Sequence, residues 1–128
     1  MKVAINSIEA PAAVGPYSQG IRTANFVFLS GQIPLEADTG KLVEDDIAIQ
    51  TEQVIANIKA LLHSQHLDLN DVVKATVFLI DMNDFIAMNQ IYAKHFHGLP
   101  PARSTVQVAR LPKDARVEIE VIAQTRNL

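Results

Sequence analysis

The chain has 128 residues, a formal net charge of −3, 48% hydrophobic and 20% charged residues, and no cysteine. That length suits one domain over 1–128 with a real core, and the composition excludes the disordered class; without cysteine there is no disulfide, thiolate metal site or cysteine nucleophile. No Lys/Arg cluster is longer than a pair, no apolar run approaches the about 20 residues of a membrane span, and Met1–Asn6 lacks a signal-peptide core, so a cytoplasmic protein that binds neither nucleic acid nor membrane is expected.

Val3–Ile5 reads as a short edge strand, and Pro11 to Pro16 as a loop with a Gly15-Pro16 turn signal. Tyr17–Arg22 and Asn25–Gly31 follow as two strands joined near Thr23-Ala24, the second apolar on both faces and therefore expected to be central. From Asp45 to His66, the residues Ile47, Thr51, Val54, Ile58, Leu61 and Leu62 recur at steps of three and four, a helical period, with Glu44, Asp45 and Asp46 at the positive end of its dipole. Val72–Ile80 is a β-branched strand. Asn83 is the expected cap of a second helix running to about His97, with Phe85, Met88, Tyr92 and Phe96 on one face and Gly98 as its stop. Two more strands, Arg103–Ala109 and Arg116–Gln124, flank the turn-rich Leu111–Ala115. The order predicts an α+β fold with both helices on one face of a sheet.

Arg103 follows the stiff run Pro100-Pro101-Ala102, so its backbone is held more tightly than a loop usually is. A pre-positioned guanidinium is a receptor for a carboxylate or phosphate, or one half of a salt bridge at a strand end. If the last two strands pair as an antiparallel hairpin, one register mixes valines with carboxylates on both faces. The other gathers Val106, Val108, Val117, Ile119 and Val121 on one face and Arg103, Thr105, Gln107, Glu118 and Glu120 on the other. Burial selects the second, since an unpaired carboxylate in a core costs several kcal/mol. The expected polar face faces solvent or another subunit, and an Arg beside Glu118 or Glu120 would lower the carboxylate pKa, leaving a base or water-orienting group.

Other candidates carry less. His63 and His66 have ligand-like spacing without a third ligand, and basic side chains suit a helix C-terminus anyway, so no metal site is expected. Ser30 and Ser104 have no triad-like neighbours, and the glycines form no phosphate cradle. Asn89 lies four residues after Phe85 and three before Tyr92, a polar group on an apolar stripe that needs a partner.

Several ordered segments together resemble the reactive intermediate deaminase family of YjgF type, in its RidA-like branch. They are Gly15-Pro16-Tyr17-Ser18-Gln19-Gly20, Ser30-Gly31-Gln32-Ile33-Pro34, Asp81-Met82-Asn83-Asp84-Phe85, Pro101-Ala102-Arg103-Ser104 and Val108-Ala109-Arg110-Leu111-Pro112-Lys113-Asp114 leading into Glu118-Ile119-Glu120. The resemblance covers nearly the whole chain. It implies a chorismate-mutase-like single domain, a mixed sheet of about six strands with two helices on one face, assembled as a homotrimer with clefts between subunits. It also implies cofactor-free hydrolysis of 2-imino and 2-enamino acids, products of pyridoxal-phosphate-dependent dehydratases, to 2-oxo acids and ammonia. Arg103 matches the family arginine that holds the substrate carboxylate, Glu118 the acid that orients water, and Tyr17 and Asn89 cleft residues. Ser30 and Gly31 match the strand end lining the pocket. Thr105 departs from the cysteine common among relatives; an imine carbon is already electrophilic, so turnover survives without a thiol if backbone groups there do the binding. The segment Phe96–Pro100 is shorter than in many relatives, which alters cleft access. The rival reading is a trimeric binder of small carboxylic or 2-oxo acids without catalysis. RNA cleavage, attached to some relatives, fits poorly with the acidic balance.

Overall fold

A computed structural model describes residues 1–126. Six strands and two helices follow in the order β1 (Val3–Ile5), β2 (Gly20–Arg22), β3 (Phe26–Leu29), α1 (Ile47–His63), β4 (Val72–Leu79), α2 (Phe85–His95), β5 (Ala102–Gln107) and β6 (Val117–Gln124). They build one mixed sheet in the spatial order β1, β2, β3, β6, β4, β5. The expected α+β layout with both helices on one face is what the chain adopts. No helix among the described residues is long and apolar enough to cross a membrane.

The core lies between helices and sheet. Val54, Ile55, Ile58, Leu61 and Leu62 of α1 pack with Val77 and Leu79 of β4 and Val117 and Ile119 of β6, all fully buried. Burial of each such side chain contributes about 1.5–3 kcal/mol, which holds the layers together. Asp46 caps α1, its Oδ1 accepting from the Ile49 amide at 2.9 Å. Polar residues on the buried face of α1 have structural partners: Asn57 Nδ2 donates to the Leu35 carbonyl at 2.9 Å, and Gln50 Oε1 accepts from the Arg116 amide at 2.8 Å. They fix the loop after β3 and the start of β6.

The expected C-terminal hairpin does not form. Strand β5 pairs in parallel with β4, and β6 lies on the other side of β4, between it and β3. Helix α2 carries the chain back over the sheet, so β5 runs in the direction of β4. Packing decides the placement. β6 presents Val117, Ile119, Val121 and Ala123 to the helices and fits the centre, whereas β5 presents Arg103, Thr105 and Gln107, which only an edge tolerates.

The pairing also overturns the expected polar face. Arg103, Thr105 and Gln107 sit opposite Ala75, Val77 and Leu79, on the helix side; Glu118 and Glu120 sit opposite Phe78 and Thr76, on the other side. β3 is the interior strand expected, yet Phe26 and Phe28 are about two-fifths exposed because no described residue covers that face. One smaller expectation changes as well. Asn83 is not a cap: Asp81 caps the 3₁₀ turn Met82–Asp84, accepting from the Asn83 amide at 2.9 Å, and α2 continues from that turn.

Candidate functional site

The sequence-predicted site residues fall into two clusters on opposite faces of the sheet. The first is built at the β5 edge. Phe85, Asn89 and Tyr92 are spaced by four and three on α2 and so share one face. Against that face lies Arg103, its guanidinium carbon 4.7 Å from the Tyr92 ring centre and 5.7 Å from that of Phe85. Arg103 Nη1 donates to Asn89 Oδ1 at 2.7 Å, which supplies the partner that a polar group on this stripe required. Phe96 stacks on Tyr92 with ring centres 4.2 Å apart and planes at 19°. An Arg over an aromatic face gains about 0.5–2 kcal/mol, enough to hold the side chain in place while most of its donors stay uncommitted.

Two hydroxyls of this cluster, Tyr92 OH and Thr105 Oγ1, are buried without a hydrogen-bond partner among the described residues. Burial pushes the Tyr92 phenol pKa up, with the Arg103 charge acting the other way. Such orphaned groups normally cost stability and mark a missing partner. The apolar period of α2 announced Tyr92 only as a core residue. Its polar end could have been noticed because it shares the stripe with Asn89.

The second cluster gathers Tyr17, Ser30, Gly31 and Glu118. Ser30 Oγ donates to the Ser18 carbonyl at 2.6 Å, and its amide donates to the Gln19 carbonyl at 3.0 Å, tying the end of β3 to the segment before β2. Gln19, only 5% exposed, accepts from the Ser7 amide at 2.6 Å and donates to the Pro11 carbonyl at 2.8 Å. It organises the loop that carries Tyr17, a role the sequence did not reveal. Gln32 bridges Ile119 of β6 through paired backbone bonds of 2.8 and 3.1 Å, and this brings Gly31 against Glu118. A Cβ at residue 31 would overlap Glu118 Oε2 and stand 2.8 Å from its Cδ, so a side chain here would push the carboxylate aside; the constraint comes from Glu118 and not from backbone conformation.

Tyr17 and Gly31 line a hollow of about 250 Å³, closed by Val14, Ile33, Leu35 and Lys113. Its Lys113 wall is unusual. Lys113 and Asp114 are consecutive non-glycine residues at φ 58°, a left-handed conformation costing about 1–2 kcal/mol each. Arg110 holds the turn by a two-pronged pair with Asp114, at 2.6 and 3.2 Å.

Glu118 does not meet Arg103 within the chain. Burial pushes its pKa up, and the neighbouring Glu120 charge pushes the same way, the reverse of the lowering expected from a shared face. A carboxylate with a raised pKa is a stronger base when ionised. The arrangement offers a carboxylate receptor on one edge and a basic group with a shaped hollow on the opposite face.

The family model described as Endoribonuclease L-PSP matches residues 7–125. The mouse protein named 2-iminobutanoate/2-iminopropanoate deaminase is 44% identical over 119 residues, covering 93% of this chain and 88% of the mouse one. The crystal structure of a conserved Rid protein family member from Yersinia pestis superposes with a TM-score of 0.95 at 48% identity, covering 98% of this chain and 100% of that one. That of TdcF from E. coli with bound serine gives 0.93 at 42%, covering 97% and 99%.

Proposed function

The chain belongs to the YjgF/Rid family, and from that membership and its two separated polar clusters we propose that it hydrolyses 2-imino and 2-enamino acids to 2-oxo acids and ammonia. The deaminase name of the mouse relative supports the reaction, and the serine-bound TdcF supports a small amino-acid-like ligand. Acidic net charge weighs against the RNA-cleaving activity in the description of the family model.

The separation itself carries the reading. Arg103 holds the substrate carboxylate, with Asn89 fixing the guanidinium and Thr105 and Tyr92 offering hydrogen bonds beside it. Glu118 takes a proton from a water that adds to C2, and the carbinolamine then collapses with release of ammonia, the proton passing to the leaving nitrogen. Tyr17, Ser30 and Gly31 shape the pocket around that water. Since Arg103 and Glu118 lie on opposite sheet faces, neither cluster completes a site alone. On one face β3 and β5 also leave Phe28 and Val106 about two-fifths exposed, and β4 and β6 leave Phe78 and Ile122 partly buried, with no cover among the described residues. A homotrimer that buries those faces together and sets Arg103 of one copy opposite Glu118 of the next satisfies both demands. The barrier reduction required is only a few kcal/mol, within reach of positioning and hydrogen bonding, because imines hydrolyse unaided.

The test couples the purified protein to a threonine dehydratase and follows 2-oxobutyrate. Faster formation than in buffer, lost in Arg103→Ala, is expected. No acceleration, with wild type binding 2-oxobutyrate tightly and Arg103→Ala binding it weakly, would instead establish the non-catalytic binder.

A further inference from the structure

The turn at Pro112–Asp114 is more heavily engineered than a connection between strands needs to be. Its neighbours Leu111 and Ala115 are buried anchors, Arg110 grips Asp114 with both prongs, and two successive residues are held in left-handed backbone without glycine. Stored strain of this kind is kept where something specific must be positioned. What the turn positions is Lys113, on the wall of the hollow whose other walls are Tyr17, Gly31 and the apolar side chains Val14, Ile33 and Leu35. No ion pair among the described residues engages Lys113, and the carboxylate of its own turn neighbour, Asp114, is committed to Arg110.

We propose that Lys113 determines substrate specificity: a cation fixed at the wall of the Tyr17 hollow that receives a second carboxylate at the far end of the substrate, favouring 2-imino acids with acidic side chains. Apolar walls suit the methylene stem of such a side chain, and the ammonium suits its end. Its role toward a substrate rests on the deaminase reading; the anion subsite rests on the turn and the hollow.

The experiment compares 2-iminoglutarate, generated in situ by oxidation of glutamate, with 2-iminobutanoate. The readout is the ratio of their kcat/KM values for wild type, Lys113→Met, which keeps the stem without the charge, and Lys113→Arg. Wild type should prefer the dicarboxylic imine, Lys113→Met should lower the ratio about tenfold, and Lys113→Arg should restore most of it. A wild-type ratio below one, or one that Lys113→Met does not move, overturns the proposal. Calorimetric binding of 2-oxoglutarate and 2-oxobutyrate separates the two ideas. If neither imine is turned over, the deaminase reading fails, yet 2-oxoglutarate binding weakened about tenfold by Lys113→Met still supports the subsite. Equal 2-oxoglutarate affinity in wild type and Lys113→Met overturns it.

Discussion

The two faces of the sheet have opposite economies. On the helix side, Val77, Leu79, Val117 and Ile119 are fully buried, and the buried polar residues of α1, Gln50, Thr51 and Asn57, all find backbone partners. On the other side Phe28 and Val106 are 42% and 41% exposed, and Glu118 carries a pKa raised by burial and by Glu120 with no cation to answer it. Apart from the β5 edge, where Tyr92 and Thr105 keep orphaned hydroxyls, the first face is finished within one chain. The second has the residue types of an interior and of a site without the closure of either, which is how a surface looks when a second copy completes it.

The largest effects expected bear directly on that contrast. Ile119→Ala, on the closed face, should destabilise the fold by about 2–5 kcal/mol, measured by urea unfolding at fixed protein concentration. Phe28→Ser, on the open face, should act on assembly, converting the proposed trimer to monomers in sedimentation velocity while circular dichroism keeps its native shape. A wild type that already sediments as a monomer would mean the open face is simply solvated.

Next in size is the chemistry divided between the clusters. Arg103→Ala and Glu118→Gln should each lower kcat/KM by about 100-fold, equivalent to about 2.7 kcal/mol. Refolded together in equal amounts, the two inactive variants should regain activity, because about a quarter of the inter-subunit sites then combine an intact Arg103 with an intact Glu118. A mixture as inactive as its components would place both residues in the same copy and break the proposed division.

How much of this was legible beforehand follows from range. α1, β4 and α2 were readable from the periods of Ile47 to Leu62, Val72 to Leu79 and Phe85 to Phe96, since each reports a local burial pattern. Partners of Arg103 and Glu118 were not, because alternation is identical for a hairpin strand and for strands separated by a third. Only the intervening β4 decides it, and nothing within 103–124 encodes β4. The Asn89 anomaly on α2 was visible, and its solution was Arg103. Gln19 and Lys113 left no periodic signal: one acts through backbone partners far along the chain, the other through a dihedral angle.

A smaller effect concerns the turn walling the hollow. Lys113→Gly should raise stability by roughly 0.5–1 kcal/mol, the relief of left-handed strain less the added freedom of the unfolded chain, read from the urea midpoint. A loss of stability would show that the turn stores no strain and would remove the reason for thinking it positions anything.

The smallest effect, and the one that most sharpens the contrast between faces, is the titration of Glu118. Within one chain its folded pKa is raised, burial first and Glu120 second. The sign follows: the protonated carboxyl is favoured by the fold, so its contribution to stability is fully present below the ordinary carboxylate range and is lost as pH rises through the raised folded value. Glu118→Gln should therefore gain stability relative to wild type as pH goes from 4 to 8, by a modest amount because the group is half exposed and solvent screens it. Assembly changes the environment. If Arg103 of a neighbouring copy faces Glu118, its charge pulls the carboxyl pKa back down, and carboxyl carbon NMR should find Glu118 titrating at higher pH in Arg103→Ala than in wild type. Identical titration curves would leave the two clusters electrostatically strangers, and the open face would need another explanation for its buried acid.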